Sequence, residues 1–321
     1  MSLEKADKAS IERPENTVIA VVGPTCSGKT SLSIELSCVL NGEVIACDSR
    51  NIYRYMDIGT AKPTEEEMKG IPHHLIDVAE PDSVFTVAEY KKQGRIAIDE
   101  IFASGKIPIV CGGTGFYARA LLEGLSIPEV APNQELRQRL HIEAEEKGNQ
   151  YLHNILAQKD PEAAAKIKAN DRFRIIRALE VIEALSIPFS MASKKEPVPF
   201  AIIWIGLTFE DRSKLKEKII ERLKIQIEDG LEAEVRSLYD RYGKTRSLQN
   251  AVTYKQFISY FEKEISYEEA LEECIKHNYQ LARKQLIWFR SNPEMNWLKV
   301  DETPDLLEAA LEIINESKAR M

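Results

Sequence analysis

The sequence predicts an α/β fold in which a parallel sheet wound with helices is interrupted by one helical insertion. Three observations point there. Four apolar residues, Ile19 to Val22, run directly into Gly23-Pro24-Thr25-Cys26-Ser27-Gly28-Lys29-Thr30, which fills every fixed position of a phosphate-binding loop. Two further short apolar runs, Glu43 to Cys47 and Lys106 to Cys111, alternate with helical patterns, as the strands of a parallel sheet do. After Leu125 the strand signal vanishes for about 70 residues and returns at Ala201 to Leu207.

In chain order, residues 1–16 read as a polar tail, and strand Val18 to Val22 leads through the glycine turn into a helix over about 29–41. Helix and turn together offer an anion inward-facing amides and the positive end of a helix dipole. Lys29 can reach a terminal phosphate and Thr30 can place its hydroxyl on a magnesium ion. The run from Glu43 delivers Asp48-Ser49 at its carboxyl end, where open α/β sheets place ligand groups. The stretch 50–63 (RNIYRYMDIGTAKP) is too rich in turn formers to be a core element and passes the mouth of the phosphate site. A short strand is expected near Pro72 to Asp77. An amphipathic helix over 87–104 should bury Val87, Tyr90, Ile96, Ile98 and Ile101. The strand closing at Cys111 meets a second glycine loop, Gly112-Gly113-Thr114-Gly115, and a helix carrying Tyr117. Helical segments near 134–147, 150–158, 161–167 and 171–185 make up the insertion. The segment 186–200 reads as a loop. Helices follow over 211–229, stopped by Gly230, over 231–239, over 266–289 with a basic end, and over 300–318.

The domain reading is therefore a core of 17–124 and 200–321 around an inserted helical domain of 125–199. A chain of 321 residues with 44% hydrophobic and 29% charged residues suits a globular protein, and no apolar run approaches bilayer length. The polar N-terminus lacks the apolar core of a secretion signal, so a cytoplasmic location is expected. The five cysteines have no paired zinc spacing and their odd number gives no disulfide framework; small buried thiols are the expectation. His73 and His74 lack companion ligands at zinc spacing and read as structural. A net charge of −8 argues against a surface coated in nucleic-acid contacts but not against a local basic groove.

Three carboxyl-end loops, at 23–30, at 48–49 and at 112–115, converge in this topology, and with a helical insertion they suggest a P-loop nucleoside-triphosphate-hydrolase-like parallel sheet. The linked motifs GPTCSGKT (23–30), DSRNIYRYMDIGTAKP (48–63), PHHLID (72–77), GGTGFY (112–117), RFRIIRALEV (172–181) and LARKQLIWFR (281–290) go further. Together they resemble the tRNA isopentenyltransferase family, over roughly residues 17 to 300. The resemblance implies transfer of a dimethylallyl group from dimethylallyl diphosphate to N6 of adenosine 37 in the tRNA anticodon loop, with magnesium as cofactor. It implies Asp48 as general base, Thr25 and Arg222 on the diphosphate beside residues 23 to 30, and Ser49, Gly113, Thr114, Gly115 and Tyr117 around the path where donor and base meet. The chemistry agrees: breaking an allylic carbon–oxygen bond develops charge on the departing diphosphate, and the adenine amine needs somewhere to send its proton.

On the RNA side the expected contacts are Arg50, Asn51, Tyr53, Lys62, Arg172, Arg174, Lys255, Gln256, Arg283 and Lys284, reading a base flipped out of the loop. At least one arginine of the run at 172–177 is also placed to pair with Asp171 or Glu180 at helix spacing. The expected partners are the anticodon stem-loop and the diphosphate donor, with no membrane and a monomeric protein. The chain departs from the family's usual DSMQVY at Arg50-Asn51, has Thr253 where Gly is usual, and has Asn278-Tyr279 where Thr-Arg is usual. Two rival readings remain: a small-molecule or nucleotide kinase with a helical lid, and a P-loop RNA-binding switch that makes no product.

Overall fold

The computed structural model of the chain describes residues 16–320, so the expected tail lies outside the described residues apart from Asn16. Six strands form one sheet: β1 (Thr17–Val22), β2 (Gly42–Ala46), β3 (His73–His74), β4 (Ile107–Gly112), β5 (Ala201–Thr208) and β6 (Asn296–Lys299). Their order is β3-β2-β4-β1-β5-β6, and every pair is parallel. β1 is central, with Ile19 in register with Ile109 of β4 on one side and Ile203 of β5 on the other. All of its residues are buried, as a continuous apolar strand covered on both faces should be. The helices Lys29–Leu40 and Leu306–Arg320 cover one face, where Ile19, Val21, Leu32, Leu36, Ile205 and Ile314 share a core.

Chain direction across the sheet reverses at β1, which leaves β2, β4 and β1 as consecutive neighbours. The three loops that follow them therefore emerge side by side at one edge. That is the topological switch point at which open α/β sheets bind ligands.

The chain divides into two compact units, residues 119–198 and the rest. The smaller unit holds the helices Gln134–Lys147, Asn149–Lys159, Pro161–Lys166, Arg172–Leu185 and the short Phe189–Ala192. The last of these lies inside the segment read as loop. Leu140, Leu152, Leu156, Ile175, Ile176 and Leu179 pack as its core. Its polar centre is Glu180, which is only 1% exposed. Glu180 accepts from the Asn133 amide at 2.8 Å, from Arg137 through Nε and Nη2 at 2.8 Å each, and from Arg177 Nη1 at 2.5 Å. Helix-spaced pairing thus claims Arg177.

In the larger unit the helices Arg212–Glu228, Leu231–Tyr242, Tyr254–Phe261 and Tyr267–Phe289 build a second core from Leu223, Val235, Leu238, Tyr254 and Phe257. Left-handed Gly230 (φ 98°) directly follows the right-handed C-cap Asp229 and stops the helix Arg212–Glu228 as expected, and it also serves as the N-cap of Leu231–Tyr242. Other expectations need correction. Ile96 is 49% exposed. The buried face of Val87–Ala103 runs through Tyr90, Gly94, Ala97, Ile98 and Ile101, and the 3.6-residue period carries Ile96 off it. Cys38 is exposed, whereas Cys47, Cys111 and Cys274 are buried as expected. β6 and the helix Tyr254–Phe261 went unread. A four-residue edge strand is too short to show a period, and the helix starts beyond Thr253, whose φ of 85° no residue-type rule foretells.

The Glu180 cluster yields a pH prediction. Burial alone would raise this carboxyl, but the hydrogen bonds from Arg137, Arg177 and the Asn133 amide outweigh it and hold the carboxyl below its ordinary value of 4.5. Its contribution is therefore complete above pH 4.5 and drains away as pH falls through the lowered value. Glu180→Ala strands two guanidinium groups and should cost about 3–5 kcal/mol in urea unfolding at neutral pH, with the gap to wild type narrowing in acid.

Candidate active site

β1 hands over to the phosphate loop at Gly23. Gly28 sits at φ 81° as the N-cap of Lys29–Leu40, a left-handed position that suits glycine. Within the loop Ser27 Oγ donates to the Pro24 carbonyl at 2.8 Å, and Lys29 Nζ donates to the same oxygen at 2.5 Å. An ammonium has three donors, so Lys29 keeps two for an anion. Burial pushes the Lys29 ammonium below its ordinary pKa, an effect countered in part by Cys111 and Asp48 and reinforced by Arg222. Lys29 thus feels the charges of both Asp48 and Arg222.

Arg222 comes from Arg212–Glu228. One turn before it, Ile219 packs with Leu215 and Ala282 in a cluster that also takes in Cys26 of the phosphate loop. Its Nη2 donates to Asn278 Oδ1 at 3.4 Å.

Asp48 follows β2 and is half-buried. Its Oδ1 accepts from the Arg50 amide at 2.8 Å, a local turn that orients the carboxylate. Among the described residues Oδ2 has no hydrogen-bond partner. Thr114 ties this loop to the one after β4: its hydroxyl accepts from the Ser49 amide at 3.1 Å, and its amide donates to the Cys47 carbonyl at 3.1 Å. Beneath them Tyr117 stacks on Tyr90 with ring centroids 4.1 Å apart. Burial pushes the Cys47 thiol up to about 12, which leaves it protonated at neutral pH and rules it out as a nucleophile.

Sequence reasoning missed Gln285, on the long helix Tyr267–Phe289. Its Oε1 accepts from the Thr25 amide at 2.8 Å, so this amide does not join the others facing an anion, as the sequence reading had it. Its Nε2 lies so close to Gly113 that a Cβ there would overlap it, and Trp288, one turn on, occupies the same position over Gly115. The glycines at 113 and 115 therefore admit two side chains of one helix. The signal lay within LARKQLIWFR, where the basic residues drew the reading instead.

Glu234 was missed too. Its carboxylate accepts from the amides of Asp57 (3.0 Å), Ile58 (2.7 Å) and Gly59 (3.0 Å) and from the Tyr254 hydroxyl (2.6 Å). This pins the DIGTAKP stretch. Lys62 completes the tie, reaching the Tyr53 carbonyl at 2.9 Å and both Asp57 and Asp77 at 2.5 Å with its side chain 5% exposed.

Three of the residues expected on RNA are turned inward. Lys62 is spent on internal ion pairs, Tyr53 is buried, and Gln256 is buried with its Oε1 accepting from the Thr253 amide at 2.8 Å. Arg50 remains half-buried, with Nη1 3.4 Å from the Ser247 carbonyl. Asn51 Oδ1 is buried without a partner among the described residues. Lys255, Arg283 and Lys284 are exposed and form no ion pair among the described residues. In the smaller unit Arg172 donates to Asn149 Oδ1 at 2.8 Å, and Arg174 lies 3.4 Å from Asp171 with its side chain 57% exposed. His74 Nε2 lies 2.7 Å from Glu43, which Lys106 also meets at 2.6 Å, and His73 Nδ1 faces the Ile71 carbonyl at 2.8 Å. Both histidines serve the sheet edge.

A phosphate loop at the switch point of an all-parallel sheet, with Asp48 on the loop after β2, defines the chain as a P-loop-like α/β protein. The comparisons narrow that class. The family model described as IPP transferase matches residues 51–292, and the chain belongs to this family. It is 44% identical over 291 residues to a tRNA dimethylallyltransferase of Acetivibrio thermocellus, covering 89% of this chain and 93% of the relative. It is 42% identical over 301 residues to one of Roseiflexus castenholzii, covering 94% and 98%. Among solved structures, the tRNA isopentenylpyrophosphate transferase of Bacillus halodurans superposes with a TM-score of 0.70 at 37% identity, covering 95% of this chain and 96% of that one. A eukaryotic dimethylallyltransferase acting on tRNA gives 0.81 at 25% identity, covering 95% and 80%.

Gln285→Ala releases the Thr25 amide and empties the space over Gly113. Affinity for inorganic diphosphate, measured by calorimetry, should drop about tenfold while the melting temperature stays close to wild type. Unchanged affinity would show that the loop keeps its shape without this tie.

Proposed function

We propose that the protein transfers the dimethylallyl group of dimethylallyl diphosphate to N6 of adenosine 37 in the anticodon loop of tRNA. The observation that carries this reading is Asp48. Its carboxylate is oriented by the Arg50 amide, has one oxygen without a protein partner among the described residues, and lies within electrostatic reach of Lys29 in the phosphate loop of a chain in the IPP transferase family. In the reaction the N6 lone pair attacks C1 of the dimethylallyl group, the C1–O bond breaks, and its electron pair leaves on the diphosphate. The proton lost from N6 passes to Asp48.

The loop amides other than that of Thr25, the Thr25 hydroxyl, Lys29 and Arg222 take the charge that develops on the diphosphate. Ser49, Gly113, Thr114, Gly115 and Tyr117 wall the space between. No group of three or more His, Cys, Asp or Glu among the described residues could hold a metal. An oxygen donor such as the Thr30 hydroxyl suits magnesium, an ion that takes much of its coordination from phosphate and water. Bound there, it would add positive charge to the leaving diphosphate.

For tRNA, Asn51 Oδ1 offers a buried acceptor to a base amine. Arg50 lies beside it. Lys255, Arg283 and Lys284 supply exposed charge for phosphates, and the inserted unit adds Arg172 and Arg174. Every residue in this reading comes from one chain, so a monomer suffices. No helix among the described residues is long and apolar enough to cross a membrane, and a cytoplasmic place beside tRNA is proposed with the function.

The test is to incubate the protein with magnesium, unmodified tRNA and either dimethylallyl diphosphate or ATP, then weigh the digested nucleosides. N6-dimethylallyl-adenosine is expected in the first arm alone. Phosphoryl transfer in the second would favour the kinase reading, and RNA binding without product would favour the switch. Asp48→Asn should lower kcat by about 10²–10⁴-fold with donor affinity retained. A separate measurement addresses the long helix: Arg283→Ala and Lys284→Ala should each raise KM for tRNA and reduce the log–log salt slope by about one.

A further inference from the structure

The helix Tyr254–Phe261 begins at an unusual residue. Thr253 has φ 85° and ψ −55°, is 1% exposed, and is β-branched. This is the strained γ-turn region, which a β-branched side chain occupies only when its surroundings hold it there. Backbone strain of this kind clusters at functional sites, so the partners of Thr253 matter. Its carbonyl faces Cys274 Sγ at 4.0 Å, and its Oγ1 lies 3.4 Å from Asn278 Nδ2. Cys274 and Asn278 are one turn apart on the long helix Tyr267–Phe289, so Thr253 grips two successive turns of it.

Asn278 is buried, and its amide orientation is set from both ends. Nδ2 donates to the Cys274 carbonyl at 3.0 Å, and that carbonyl can only accept. Oδ1 faces Arg222 Nη2 at 3.4 Å, and a guanidinium can only donate. A flipped amide would set oxygen against oxygen and donor against donor. The side chain thus has one orientation, with its acceptor turned to Arg222.

We propose that Asn278 is a positioning residue for Arg222, holding the guanidinium in the place from which it meets the leaving diphosphate, and that the strained Thr253 turn holds Asn278. The proposal rests on the reading of Arg222 as a diphosphate ligand. Thr253 and Asn278 touch each other, and together they stand behind one cation.

The test uses an isosteric pair. Aspartate at 278 keeps an oxygen where Oδ1 meets Arg222, whereas leucine has nearly the same shape and offers no acceptor. Asn278→Asp should keep kcat/KM for dimethylallyl diphosphate within about threefold of wild type, and Asn278→Leu should lower it about tenfold with KM for tRNA unchanged. In an Arg222→Ala background, Asn278→Leu should add nothing further. If Arg222→Ala leaves the wild-type rate intact, the reading of Arg222 itself fails. If Arg222→Ala is impaired but the Asp and Leu variants behave alike, or the Leu loss persists in the Arg222→Ala background, the positioning role fails. Thr253→Gly is a second probe that fits the backbone, since glycine adopts this φ freely. It should raise the melting temperature and also raise KM for the donor, and an unchanged KM would overturn the supporting role of Thr253.

Discussion

The groups assigned to the chemistry, Arg222 on its helix excepted, depend on three neighbouring strand ends. Because β2, β4 and β1 are consecutive in the sheet, Asp48, the glycines at 113 and 115 and the phosphate loop leave the same edge within a few strand spacings, each about 4.8 Å. No long-range device is needed to bring base and anion site together. The apolar register that fixes β1 between β4 and β5 does so as a by-product of burying Ile19 against Ile109 and Ile203. Core packing and placement of these loops are thus one constraint, which is why the Asp48 carboxylate can stand on a short turn and still be held.

The edge alone does not order the loops. Thr114 joins the second and third of them, Gln285 joins the first and third, and Glu234 with Lys62 clamps the stretch that continues from Asp48. Each tie has at least one buried or half-buried polar group with a complementary partner. Such groups are costly when unpaired and firm when paired. The site therefore takes its rigidity from polar contacts across long sequence separations, while its position comes from apolar ones.

That division explains what was legible in the sequence. Strand β1, the phosphate loop, Asp48 at the end of β2 and the second glycine loop were readable because apolar runs and glycine spacing are local signals. The helices of the inserted unit were readable for the same reason. Gln285 and Glu234 were not, since nothing local in a helical Gln or Glu says that its partner lies far away in the chain. Tyr53, Lys62 and Gln256 misled in the opposite sense: polar residues in a turn-rich stretch look available, and only tertiary structure shows that the Lys62 ammonium is already shared between two carboxylates. The Thr253 backbone defied any residue-type rule, because its neighbours impose the conformation.

The long helix Tyr267–Phe289 carries exposed Arg283 and Lys284 immediately before Gln285, whose side chain turns inward to the phosphate loop. Adjacent residues on a helix are rigidly geared to each other, about 100° apart around its axis. A substitution elsewhere that rotated or slid this helix to improve its outer contacts would pull Gln285 out of register with Thr25 by the same amount. The outer face can therefore vary one side chain at a time but not by moving the helix. Any change in what the outer face contacts is thereby channelled into side-chain identity on a fixed frame.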